Sequence, residues 1–360
     1  MSKFDIKHLM LVLIGVFSGQ AAFASDSCQD NLPPILSGVI RLPRGCVYHH
    51  PIAIISSNTS LDCSGSIFDG EGQDKVGLYI DSRGEHLADV MVKNCTFKNF
   101  KNGVSISWKT VDVEKGSDRN EIYKRSPTRI TLDNLNVKGN ERVGVYVDDY
   151  STRVIIKNSI IERNKGVGIY LEHSSRNNEI VNNKFIENGF GDGRREAIAV
   201  DSSAENLISG NYFQGNSAGG IFLYKNCGEH IDSGRQVVRW QHSSDNKIRN
   251  NTFVNEDVGV WLASRQSRNL KRIGCADKPM DVGGNFFEDY ASNNFVVNNK
   301  FIKNKVGVRI ESDDNEITRN VFECDGKTAV DMPRTKREEL LNRPQIGNVI
   351  RENTELRCKK

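Results

Sequence analysis

Six times between residues 178 and 353 the chain writes N-x-[IV]-x-x-N, at Asn178-Ile180-Asn183, Asn206-Ile208-Asn211, Asn246-Ile248-Asn251, Asn294-Val296-Asn299, Asn315-Ile317-Asn320 and Asn348-Ile350-Asn353. A phenylalanine follows two residues after five of these copies, at Phe185, Phe213, Phe253, Phe301 and Phe322, with looser counterparts earlier at Phe97, Val137 and Ile161. A further short strand then opens on glycine: GVSI at 103, GVYV at 144, GIYL at 168, GIFL at 220, GVWL at 259 and GVRI at 307, with AIAV at 197 using alanine. Self-similarity of this kind means that each unit is one supersecondary element that cannot bury its face alone and must stack on its neighbours.

The closest copies lie 21 and 28 residues apart, enough for three short alternating strands separated by Asn/Gly turns. Alternation sends every second residue inward. The expected fold is therefore all-β: a single right-handed parallel β-helix, a solenoid, with an N-terminal cap and long loops at one corner. We place the cap and first coil at 25–60, the helix at 61–355 and a tail at 356–360. Asparagine tolerates left-handed backbone at corners and can hydrogen-bond in ladders between coils, so the asparagine columns are scaffold.

The N-terminus reads as an export signal. Lys3 and Lys7 precede an apolar run from Leu9 to Phe17 and an A-x-A site at Ala22-Phe23-Ala24, so residues 1–24 are expected to be removed and the protein to be periplasmic or secreted. No segment has the roughly 20 apolar residues of a membrane span. All eight cysteines follow the cleavage site, which favours disulfides. Pairing of chain neighbours singles out Cys28 with Cys46 and Cys227 with Cys275.

Aligning the glycine-led strands in register sorts their side chains into columns. The first and third positions are uniformly apolar and point inward. The second reads Tyr146, Tyr170, Ala199, Phe222, Trp261, Arg309 and the fourth Asp148, Glu172, Asp201, Tyr224, Ala263, Glu311, and both are expected to face solvent. Three carboxylates on successive coils, about 4.8 Å apart, repel unless Ca2+, a basic side chain or protonation compensates. Asp148, Glu172 and Asp201 are thus candidate Ca2+ ligands. Tyr146, Tyr224 and Trp261 are candidate sugar-stacking plates, since a pyranose presents an apolar face.

Loop lengths point to the same coils. Turns at 149–153, 173–177 and 202–205 are short, whereas 107–127, 225–245 and 265–293 are long, and long loops usually line sites. Basic residues stud these walls, among them Arg176, Arg195, Lys225, Arg239 and Arg265. With a net charge of only +3 and export, an acidic polysaccharide suits them better than nucleic acid. The chain is expected to act as a monomer.

On the repeat and the glycine-led strands, the sequence resembles the right-handed β-helix superfamily of pectate and alginate lyases, polygalacturonases, mannuronan C5-epimerases and periplasmic NosD-like proteins, over roughly residues 35–355. The resemblance implies a lyase or C5-epimerase that removes the proton beside a uronate carboxyl group. His173 would be the base, Tyr170 a proton donor, and Lys225 or Arg265 alternative bases if Ca2+ holds the acids. Arg176 and Arg195 would bind the substrate's carboxylates. The epimerases' D-P-H segment is absent, since 148 onward reads DDYSTR. The polygalacturonases' G-H-G segment is also missing, although Asp148-Asp149 could pair for hydrolysis. A non-catalytic NosD-like scaffold is the other class; five methionines and no His/Met/Cys cluster offer copper little.

Overall fold

The computed structural model describes residues 28, 32–108, 118–226, 239–264, 277–326 and 328–356. Strands run from Ile35–Leu36 to Thr354–Leu356 and fall into three parallel sheets of 11 strands each. Successive strands go to the first, second and third sheet in turn, so each coil returns to the first sheet one rung further on. This is the right-handed crossover that twisted parallel strands take, and the expected β-helix is the fold. Two short helices decorate it, α1 at Arg119–Arg125 and α2 at Lys336–Leu341.

The repeat asparagines divide the two tasks expected of them. The corner between second and third sheets is a single left-handed residue, filled by Asn158, Asn182, Asn250 and Asn298 with φ of 54° to 57°, a conformation asparagine tolerates better than most. The neighbouring motif asparagines build ladders instead. Asn183 Nδ2 donates to Asn211 Oδ1 at 3.1 Å, Asn211 to Asn251 at 3.0 Å and Asn251 to Asn299 at 3.0 Å. Each rung satisfies amides that burial would otherwise strand at about 1–3 kcal/mol apiece.

Inside, Phe185, Phe213, Phe253, Phe301 and Phe322 stack with centroids 4.7–4.8 Å apart and planes within 11°. This spacing is that of the strands themselves, so one ring per coil fills the core. A third ladder joins Asn140, Asn164, Asn188 and Asn216, then admits a carboxylic acid, Glu256, before Asn304 and Asp325.

Two disulfides join chain neighbours near the N-terminal end, Cys28–Cys46 as expected and Cys63–Cys95. Cys324 is also disulfide-bonded. The Cys227–Cys275 pairing, Arg265 and the export segment 1–24 lie outside the described residues. No helix among the described residues is long and apolar enough to cross a membrane.

Candidate functional site on the first sheet

The first sheet carries the glycine-led strands, and its register sets Tyr79, Ser105, Tyr146, Tyr170, Ala199, Phe222 and Trp261 in one column. Two positions on, Asp148, Glu172 and Asp201 follow one another on adjacent coils, as the backbone bonds Glu172 N to Val147 O and Ser174 N to Ser202 O and the pairing of Leu171 with Val200 require. The residues after them, Asp149, His173 and Ser202, turn the chain in left-handed conformations with φ of 46°, 44° and 55°. Such backbone is uncommon for residues other than glycine, although aspartate and histidine adopt it more readily than most, and at His173 it accompanies an imidazole turned back onto Asp148.

The acid column does not face solvent. Asp148, Glu172 and Asp201 are all buried, because the chain returning at 239–243 lies across these turns. Gln241 Nε2 donates to the Ser175 and Ser202 carbonyls, and Ser243 Oγ to those of Val200 and Tyr224. This crossing delivers Arg239, only 2% of whose side chain is exposed. Its guanidinium donates to Glu172 Oε1 at 2.5 Å and to Asp201 Oδ2 at 2.7 Å. The basic side chain is thus what relieves the carboxylate repulsion between these two rungs.

The acids' oxygens are heavily engaged. Asp201 also accepts from Asn226 N at 2.7 Å, Asn226 Nδ2 at 2.5 Å, Tyr170 Oη at 2.9 Å and Ser202 Oγ at 3.1 Å. Glu172 Oε2 accepts from the Tyr146 hydroxyl. His173 Nδ1 lies 2.5 Å from Asp148 Oδ1, with Glu172 Oε2 at 3.8 Å and Asp149 Oδ1 at 3.9 Å. Burial and the Arg239 charge oppose a proton on His173. Glu172 and Asp148 outweigh them and raise its pKa to about 9.

This bears on Ca2+. Asp148, Glu172 and His173 each offer one donor atom within 4.8 Å of the others. That is a mixed nitrogen and oxygen set, not the six to eight oxygens Ca2+ takes, and Arg239 stands between Glu172 and Asp201. The residues present do not fit a Ca2+ cage built on the three-acid ladder.

The remaining expected site residues scatter. Tyr224 is buried, its hydroxyl donating to Glu196 Oε1 at 2.7 Å and accepting from Arg195 at 3.2 Å; burial and the Glu196 charge hold its pKa well above the usual value. Trp261 packs edge-on against Phe222 at 5.1 Å in a satellite apolar cluster, so neither ring is an open stacking plate. Lys225 is buried and ion-paired to Asp277 at 3.0 Å, which removes it as a free base. Arg176 lies over the Tyr123 ring at 4.2 Å and Arg195 lies 5.7 Å from the Tyr170 ring centre. Burial and Asp201 raise the Tyr170 pKa beyond the usual tyrosine range, so it keeps its proton.

What remains open is a groove of about 590 Å³ lined by Tyr79, Tyr146 and Tyr170 together with Lys75, Lys101 and Arg142. The expectations named Tyr146 and Tyr170 but missed the others, which sit on early coils that lack the N-x-I motif. A larger hollow of about 810 Å³ lies on the second sheet. Arg129 on its wall is already paired bidentately with Asp89.

The sequence pattern described as "Right handed beta helix region" matches residues 53–232. The chain belongs to the right-handed β-helix family. Within it, residues 189–329 also match the pattern described as "Periplasmic copper-binding protein (NosD)". No curated protein sequence matches. Among solved structures, this β-helix is similar to an alginate lyase from Paenibacillus sp. str. FPU-7, at 14% identity and TM-score 0.50 over 83% of this chain and 91% of that one. It is also similar to the tailspike protein of E. coli bacteriophage HK620 in complex with pentasaccharide, at 10% identity and TM-score 0.53 over 89% of this chain and 60% of the tailspike. The A-module of an Azotobacter vinelandii mannuronan C-5 epimerase aligns at 12% identity and TM-score 0.49, over 90% and 85% of the two chains. At these identities the likeness is one of fold.

Proposed function

We propose that this β-helix is an exported enzyme that acts on an acidic polysaccharide by removing the proton at C5 of a uronate, as a lyase or a C5-epimerase. The observation that carries the reading is the pairing of two proton-handling units beside the groove: His173 held on Asp148 at 2.5 Å and the Tyr146 hydroxyl held on Glu172. The disulfides Cys28–Cys46 and Cys63–Cys95 support export, since such bonds persist in oxidising compartments.

The roles first expected exchange places. A histidine with its pKa near 9 is charged at neutral pH and suits the acid. Tyr146 then takes the C5 proton as it passes its own to Glu172, while a groove cation neutralises the sugar carboxylate that makes this proton acidic. In elimination, His173 Nε2 gives its proton to the departing O4 oxygen; in epimerisation the proton goes to the opposite face of C5. General acid and base catalysis of this kind contributes about 10²–10⁴-fold. None of these steps needs a metal. An inverting hydrolytic pair is disfavoured because Asp148 Oδ1 and Asp149 Oδ1 lie 2.5 and 3.9 Å from one imidazole nitrogen, too close together for the about 6.5 Å minimum separation that leaves room for the attacking water.

The test incubates the purified protein with alginate, pectate and glycosaminoglycans, with and without EDTA. Absorbance of the unsaturated product reports elimination, and proton NMR reports epimerisation. Turnover that survives EDTA and is lost in Tyr146→Phe and His173→Gln supports the reading. A second reading, a non-catalytic NosD-like binding module, is favoured by the match at 189–329 and by the saturated oxygens of Asp201. It predicts glycan or partner binding with no turnover of any substrate.

A further inference from the structure

Three cations stand on successive coils along one edge of the groove. Lys101 N donates to Lys75 O at 2.9 Å and Arg142 N to Lys101 O at 2.8 Å, so Lys75, Lys101 and Arg142 occupy equivalent rungs. Lys75 and Arg142 are exposed and Lys101 half-buried. Lys101 pairs with Asp74 at 2.8 Å, and that carboxylate is itself 80% exposed. Like charges one rung apart repel, and elsewhere in this protein such columns are compensated: Arg239 bridges two acids, and Lys165 meets Glu141 at 2.6 Å one coil away. Among the residues that line the groove, Asp74 is the one carboxylate set against Lys75, Lys101 and Arg142, and Glu141 next to Arg142 is itself paired with Lys165.

The same groove offers aromatic plates on a matching repeat. Tyr79 and Tyr146 lie two rungs apart in the first-sheet column, separated by Ser105, and Tyr146 and Tyr170 lie 5.4 Å apart between ring centres. All three tyrosines line one space with the three cations. A chain of 1,4-linked pyranoses advances by close to one rung, about 4.8 Å, for each sugar.

Resting on the proposed function, we propose that the groove binds a linear polyuronate carrying a carboxylate on every sugar. The glycan runs along the solenoid axis, with successive carboxylates on Arg142, Lys101 and Lys75 and its apolar faces toward Tyr79 and Tyr146. A glycosaminoglycan, with a uronate only at every second sugar, leaves alternate rungs of the cation edge unmatched. The cation edge therefore reads the charge repeat of the polymer, while the Tyr146 and His173 cluster performs the chemistry.

The test measures binding of oligogalacturonate, oligomannuronate and hyaluronan fragments of equal length by calorimetry at several salt concentrations. The protein is full-length, with Tyr146→Phe suppressing turnover, and is compared with Lys75→Ala and Arg142→Ala added singly and together. Both side chains are exposed, so folding is preserved, and an unchanged circular dichroism spectrum confirms it. The expected result is tighter binding of a fully charged uronate than of hyaluronan, by at least tenfold. Each alanine should weaken it several-fold and lower the salt dependence in step, as loss of a charge contact does. Equal affinity for hyaluronan, or uronate binding that both alanines leave unchanged, overturns the cation-edge reading while leaving the groove and its chemistry standing. If no polyanion binds, both this inference and the proposed function fail.

Discussion

Glu256→Gln should make this protein more stable at neutral pH and leave it almost unchanged in acid. Glu256 is 1% exposed and occupies a rung that amides fill elsewhere in its ladder. Its Oε1 accepts from Asn216 N and Nδ2 at 3.3 and 2.9 Å, its backbone N–H donates to Asn304 Oδ1 at 2.8 Å, and Oε2 has no hydrogen-bond partner among the described residues. Burial, helped by nearby Asp257 and only partly opposed by the Asn216 bonds, raises the pKa from 4.5 to about 8. Between these values the folded chain holds a proton that the unfolded chain has released, so stability falls as pH rises from 4.5 toward 8. At pH 7 the cost is about 3 kcal/mol, from roughly 1.4 kcal/mol per pH unit. Glutamine has the same length, carries no such cost, and supplies the amide donor that the asparagines supply. At roughly 2 °C per kcal/mol for a chain of this size, the variant should melt about 6 °C above the wild type at pH 7 and within about 1 °C of it at pH 4.5. Differential scanning fluorimetry from pH 4 to 9 reads both curves. An equal shift at the two pH values, or a lower melting point at pH 7, would refute the reasoning.

Three further outcomes are expected. Arg239→Met leaves Glu172 and Asp201 buried without their counter-charge and should cost about 3–5 kcal/mol; adding Asp201→Asn should recover part of that loss in a urea titration, and additive effects would count against the bridge. Asn188→Ala removes the Nδ2 bonds to Asn216 Oδ1 and Ile161 O and strands buried groups on both neighbouring coils, so a loss of about 2–4 kcal/mol should appear in the same titration. The His173 pKa is raised to about 9, so the stability gained from its proton is complete below pH 6.5 and disappears as pH rises through about 9. The pH–rate profile of the proposed reaction should fall on the same alkaline limb, and His173→Gln should abolish that limb together with about 10²–10⁴-fold of the rate.

The scaffold was legible because every coil repeats one solution. Asn183, Asn211 and Asn251 announce a ladder, Phe185 and Phe213 a stack, and the glycine-led strands a sheet. The site was legible only where register alone decides it. Asp148, Glu172 and Asp201 do fall on successive rungs, but their burial depends on Arg239 and Gln241, residues that reach them over a long insertion with no periodic pattern to align. Tyr224 and Trp261 read as open plates, yet Tyr224 is buried with its hydroxyl on Glu196 and Trp261 packs edge-on against Phe222, contacts that column register alone does not reveal. Tyr79, Lys75 and Lys101 escaped notice because their coils lack the asparagine motif and are placed only by strand pairing. The proton on His173 was beyond sequence, since it reflects a balance among Asp148, Glu172 and Arg239 across three separate turns.

The asparagine rungs carry a consequence for how such a protein changes over time. Asn246 and Asn294 lie 48 residues apart in the chain and bond at 3.0 Å, while Asn294 and Asn315, only 21 residues apart, bond at 3.2 Å. The spatial step is constant whatever length of chain connects it. Doubling an excursion between rungs adds only about 0.6 kcal/mol of closure entropy, and it shifts no neighbour's register. Each coil therefore behaves as a socket with fixed contacts, into which loops of any length can be inserted or exchanged. Recognition at the surface can diversify one coil at a time while the stack beneath keeps its alignment.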